Sequence, residues 1–207
     1  MNVPTPAAPF LSASDHSATF DVASAPASGN PMATAALLRT VAPKLKRFVR
    51  AVLGATHPDV EDAEQQALIG FVQALPAFRG DCDPVGYARV IAVRVAIEIR
   101  RRARERGMRC DDGASTEEIE EPRPSPGEAL ASERRKQILR DLLLEMRPEQ
   151  AESLALRVVF GCSLEEVALQ TGVPLNTVRS RIRLAKEHLK ERIESDPTLM
   201  SALALGE

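Results

Sequence analysis

SLEEVALQTGVPLNTVRSRIRLAKEHLKERI, residues 163–193, carries its own fold instructions. Ser163 and Glu166 have the S-x-x-E spacing of a capping box, so a helix starts there. Thr171-Gly172 ends it within a few turns, because glycine takes the left-handed conformation that a tight helix-to-helix turn needs. Pro174 then suits the opening turn of a second helix. Ala168, four residues before the glycine, lets two helices cross closely, and Val178, six after it, plugs the crossing. Helix, glycine-containing turn, helix is a helix-turn-helix by its own mechanics.

At 100° per residue, Leu175, Val178, Ile182, Ala185, Leu189 and Ile193 of the second helix share a narrow apolar stripe. Asn176, Ser180, Arg183 and Glu187 face the other way, with Arg179 and Lys190 at one edge and Thr177 and Leu184 at the other. A recognition helix pushes such a face into a major groove, N-terminal end first. Asn and Arg can contact adenine and guanine edges in pairs of hydrogen bonds, and Arg179, Arg181, Lys186 and Lys190 can meet phosphates. The alternative is an ordinary amphipathic helix with a solvated basic face. The coincidence of capping box, Ala-Gly-Val spacing and basic helix favours DNA.

The remaining sequence sets the frame. The 207 residues suffice for one ordinary domain or two small ones. Hydrophobic residues make up 44% and aromatics only 3%, so the core must be aliphatic, and its helical spacing points to an all-α fold. No run approaches a membrane span, and no secretory signal opens the chain, so a cytoplasmic protein is expected. Three widely spaced cysteines (Cys82, Cys110, Cys162) read as reduced thiols. Neither they nor the scattered histidines suggest a metal site, and no cofactor or catalytic constellation is expected. The net charge of −2 hides a pattern: residues 31–110 carry +6, 111–133 carry −7, 134–193 carry +4, and both ends are acidic. Two basic blocks joined by an acidic strand suit two modules touching one polyanion.

Residues 1–31, rich in Pro, Ala and Ser, read as a disordered tail. Residues 32–107 form a first helical block. Its first helix places Leu37, Leu38, Val41, Leu45, Phe48, Val49 and Val52 near one face, with Gly54 as its stop and Pro43 as a kink or break. Its second is capped by Asp59 and buries Leu68, Phe71, Val72 and Leu75. Its third lines one side with Tyr87, Val90, Ile91, Val95 and Ile99 and ends in five arginines between Arg100 and Arg106. Residues 108–132, acidic and broken by Pro and Gly, read as a linker. Residues 133–193 form the second helical block, and 194–207 a C-terminal tail.

The first block narrows the function. Asp59, Glu61, Asp62 and Gln65, then Ala74, Leu75, Phe78, Arg79 and Gly80, followed by a long arginine-ended helix, resemble region 2 of the extracytoplasmic-function (ECF) sigma factors of bacterial RNA polymerase. Glu166, Ala168, Gly172, Pro174, Thr177, Val178, Ser180 and Arg181 are similar to that family's region 4. Gln66, Val72, Gly86-Tyr87, Arg94 and Glu98 depart from the usual residues. The resemblance runs from about Met32 to Ile193, with both regions in order.

That resemblance implies two small all-α domains: a region 2 bundle and a region 4 helix-turn-helix on a flexible acidic linker. Asp62, Gln65 and Gln66 would contact core polymerase, whose β′ and β subunits become partners. Arg89, Arg94, Arg100, Arg101 and Arg104 would contact the minus-10 element. Asn176, Thr177, Arg179, Ser180, Arg181 and Arg183 would contact the minus-35 element. Promoter DNA and an anti-sigma factor complete the expected partners, with no membrane. The rivals are a helix-turn-helix regulator that does not bind core polymerase and a helical interaction protein without DNA contact.

Overall fold

The computed structural model describes residues 31–107 and 126–204. Within them all regular structure is helical: α1 (Pro31–Leu53), α2 (Val60–Ala74), a 3-10 turn (Leu75–Ala77), α3 (Pro84–Glu105), α4 (Pro126–Glu145), α5 (Pro148–Val158), α6 (Leu164–Thr171), α7 (Leu175–Ser195) and α8 (Pro197–Ala204). The all-α expectation holds. The calls on residues 1–30 and 108–125 lie outside the described residues.

α1 buries Leu37, Val41, Leu45, Val49 and Val52, the stripe its periodicity predicts. Leu38 and Phe48 lie half-buried at its margin. The helix continues through Pro43 rather than breaking there. Pro43 and Arg39, whose carbonyl the missing N–H would have served, are both exposed, which limits the penalty. α2 buries Phe71, with Leu75 buried just past its end and Leu68 half-buried as expected, but Val72 is exposed and the inner face is completed by Ala63 and Ala67. Glu64 is buried on that inner face, and Arg50 Nε at 2.7 Å and Lys46 Nζ at 3.5 Å on α1 neutralise it. A buried carboxylate is tolerated when it is paired in this way. Asp59 occupies the N-cap of α2 without a side-chain capping bond. Its carboxylate instead accepts from Arg106 Nη2 at 2.7 Å, tying the start of α2 to the end of α3.

α3 is the central helix. It packs on α1 and α2 and also meets α4, α5 and α6. Contact on several sides explains why Val85, Ala88, Val90, Ala92, Val93, Ala96, Ile97 and Ile99 are all buried, a wider apolar surface than the single expected line. Six of these are Ala or Val, small enough for close helix approach.

In the second block α5, α6 and α8 pack on α7. Two boundaries differ from the sequence reading. α4 begins at Pro126, inside the stretch taken as linker, and α8 lies in the stretch taken as a tail. Asp196 starts α8 by accepting from the Thr198 and Leu199 amides at 3.0 and 3.4 Å. The Thr198 hydroxyl donates to the same carboxylate and, with those amides, holds its carboxyl below the usual range. Buried residues of both blocks join in one hydrophobic cluster that includes Val93 and Ile97 of α3 with Leu154 and Leu156 of α5.

Candidate nucleic-acid and polymerase interfaces

The helix-turn-helix forms as its sequence dictates. Ser163 Oγ accepts from the Glu166 amide at 3.0 Å, and Glu166 Oε2 accepts from the Ser163 amide at 2.6 Å. Both halves of the capping box are present. Gly172 closes α6 at φ 69°, in the left-handed region, and its amide donates to the Ala168 carbonyl at 2.9 Å. Val178, Ile182 and Ala185 of α7 are buried, and Leu175, Leu189 and Ile193 flank them half-buried.

Turning the stripe inward leaves Asn176, Thr177, Arg179, Ser180 and Arg183 exposed, with Arg181 half-buried at the side. Arg179 Nη1 donates to Asn176 Oδ1 at 3.3 Å, and Arg183 Nη1 to Glu187 Oε1 at 2.6 Å. Such exposed pairs one helical turn apart are weak and exchange readily for a stronger anion. Five of the six residues predicted to meet DNA are therefore accessible.

Asp62, Gln65 and Gln66 are exposed together on α2, where Gln66 Nε2 donates to Asp62 Oδ2 at 2.7 Å. Ile69 and Val72 extend this face and are 48% and 40% exposed. The sequence reading leaves Ile69 unassigned, and Val72, expected on the buried face of α2, is exposed.

The five arginines predicted for the minus-10 element lie along α3, and each is engaged. Arg94 donates through Nε and Nη2 to Glu152 on α5 at 2.8 and 3.0 Å. Burial pulls the Arg94 guanidinium down, but the bonds and charge of Glu152 outweigh it and hold the group above its ordinary value. Arg100, 4% exposed, donates to the Leu53 carbonyl at 2.7 Å and to Asp141 of α4 at 2.9 Å. Arg101 donates to the Met146 carbonyl just past α4. No basic residue lies in the last turn of α4, so Arg101 supplies the cation that a helix C-terminus favours. Arg104 pairs with Glu145 at 3.7 Å. Arg89 Nη1 donates to Cys162 Sγ at 2.8 Å, and its guanidinium stacks over Phe48 and Phe160, 5.2 and 5.8 Å from their centroids.

No described helix is long and apolar enough to cross a membrane. The described residues hold no cluster of three or more His, Cys, Asp or Glu placed to bind a metal.

Comparison with known proteins fits this geometry. The Sigma-70 region 2 family matches residues 37–106, spanning α1 to α3, and the Sigma-70 region 4 family matches residues 136–189, spanning the second half of α4, α5, α6 and most of α7. A two-region sigma-70 architecture defines the class. The chain is 30% identical to the ECF RNA polymerase sigma-E factor of Escherichia coli K12 over 142 residues, 66% of this chain and 74% of that protein. It is 27% identical over 186 residues to the ECF RNA polymerase sigma factor SigC of Mycobacterium tuberculosis, covering 89% of this chain and 96% of the relative. In fold it is similar to CnrH, solved in complex with the cytosolic domain of CnrY. That match has a TM-score of 0.51 and 21% identity, and covers 86% of this chain and 99% of that one. The chain belongs to the ECF sigma factors of RNA polymerase.

Proposed function

We propose that this sigma factor divides promoter recognition between its two blocks. α7 reads the minus-35 element, with Asn176 and Arg183 at base edges and Thr177, Arg179, Ser180 and Arg181 contributing along the face and the backbone. α3 meets the minus-10 element through Arg89, Arg94, Arg100, Arg101 and Arg104. α2 docks on core polymerase at β′ through Asp62, Gln65 and Gln66, with Ile69 and Val72 adding apolar contact, while the second block reaches β. The partition is 32–107 for the first domain and 133–193, extended by α4 back to Pro126, for the second. The protein works in the cytoplasm, performs no covalent chemistry and is held in check by an anti-sigma factor.

The observation that carries this reading is the helix-turn-helix. Its apolar stripe is buried and its base-reading face is exposed, in a chain that also holds a region 2 bundle. The rival without polymerase binding gives no account of the exposed Gln65–Val72 face of α2. Run-off transcription on a genomic promoter set with purified core polymerase tests the reading. The expected result is promoter-specific transcript, lost when Gln65, Gln66 and Ile69 are changed together to Ala. Transcripts that do not depend on the added chain, or a failure to form holoenzyme, would overturn it.

A further inference from the structure

α7 carries one large apolar residue that its packing does not use. Leu175, Val178, Ile182, Ala185, Leu189 and Ile193 form its buried and half-buried stripe, whereas Leu184 is 42% exposed. At 100° per residue Leu184 points about 140° away from the middle of that stripe, as far round as Asn176. It therefore stands on the outward face, among the residues assigned to DNA.

A single exposed leucine is common on protein surfaces. Two features distinguish this one. Thr177, Ser180, Arg181 and Leu184 stand at i, i+3, i+4 and i+7, which puts their side chains on one ridge of the helix. Homeodomain recognition helices read bases from a ridge of the same spacing. The residues one turn from Leu184 on either side, Ser180, Arg181, Glu187 and His188, are all polar. A face meant only for water gains nothing from an aliphatic side chain among them. An aliphatic side chain also makes no use of the donors and acceptors on a base edge. Its partner in the major groove is the apolar group found there, the 5-methyl of thymine.

We propose that Leu184 is a specificity-determining residue of the minus-35 reader: it packs on the 5-methyl group of one thymine and so selects thymine over cytosine at that position. Asn176 and Arg183 read other positions by hydrogen bonds. The inference rests on the assignment of α7 to the minus-35 element made above. The ridge also places the thymine. The step from Thr177 to Leu184 is about 10 Å at 1.5 Å per residue, and successive bases are about 3.4 Å apart. With α7 laid along the groove, the Leu184 thymine lies about three base pairs from the pair beneath Thr177.

Deoxyuridine differs from thymidine only in lacking this methyl, so it tests the contact with every base-edge hydrogen bond intact. Each thymine on both strands of the minus-35 element of a transcribed promoter is replaced in turn. Holoenzyme assembled from core polymerase and the full chain is then titrated against each duplex. Wild-type holoenzyme should lose affinity roughly fourfold at one position, the value of one buried methyl. Leu184→Ala should bind that duplex and its thymine parent equally, while keeping the wild-type response at every other position. Leu184→Met, which restores apolar bulk, should recover most of the sensitivity. Alanine favours helix, and circular dichroism checks that the Ala variant is folded. If no position responds to uracil in a way that depends on Leu184, the proposal is overturned. Equal losses by Leu184→Ala on thymine and uracil duplexes also overturn it, and assign the leucine to a protein contact. If Leu184 is blind to the methyl while Asn176→Ala and Arg183→Ala alter base preference, α7 remains the minus-35 reader and this inference alone fails. If none of the three substitutions changes minus-35 binding, both fall.

Discussion

Single side chains separate the roles on the reading helix. Arg179→Ala removes a phosphate-range cation, so it should weaken minus-35 binding by a similar factor on every sequence and lower the salt slope by about 1. Asn176→Ala removes a base-edge group and should cost about 1–3 kcal/mol on the preferred sequence and little on others. Titration of both variants against a randomised minus-35 library checks the split; equal, sequence-blind losses would count against it. Cys82 offers a pH test. Burial first, then the charges of Asp83 and Asp81, push its thiol up to about 12 from an ordinary 9.0. The folded chain keeps this proton where the unfolded chain releases it. Stability from this group is therefore intact below about pH 9 and is lost as pH rises towards 12. Tyr87, raised by burial, acts in the same direction. Urea midpoints should fall between pH 8 and pH 10.5, and Cys82→Ser should flatten part of the fall. Local periodicity was enough to place Asn176, Ser180 and Arg183 outward, because one helix and its own stripe decide the matter.

Among the elements, the α6–α7 corner rests on two local devices. Ser163→Ala removes an N-cap hydrogen bond and should cost about 1 kcal/mol. Gly172→Ala forces a side chain into a left-handed residue and should cost about 1–2 kcal/mol. Thermal melts would register both, and neither should alter sequence preference in DNA binding at temperatures where the variants are folded. These devices were legible because cap and turn chemistry lie within ten residues. α2 was less so. Its Val72 reads as core by hydrophobicity, yet the inward face is set by small Ala63 and Ala67, which let α3 approach, and by Glu64, whose neutralising partners lie on α1. The start of α4 at Pro126 was also hidden, because Pro124, Pro126 and Gly127 signal a break whether they end a linker or open a helix.

At the scale of the whole molecule, the seam between blocks is the feature the sequence did not disclose. Arg94 finds Glu152 58 residues away and Arg89 finds Cys162 73 residues away. No local pattern ties a guanidinium to one distant carboxylate among many. The seam can be loosened without touching an ion pair. Phe160→Ala removes the edge-on contact with Phe48, worth about 0.5–1.5 kcal/mol, and one of the two rings over Arg89. Small-angle scattering of the free chain should then show a larger radius of gyration, while helix content by circular dichroism stays unchanged. A radius unaltered by Phe160→Ala would show that the aromatic contact does not hold the blocks. The ion pairs across the seam carry a last consequence, for competition inside a cell. A genome presents roughly a million or more non-specific sites, and exposed arginine rows adhere to any of them. A chain that holds its α3 arginines on its own acids presents fewer bare cations to bulk DNA, while Arg179 and Arg183 of α7 stay exposed.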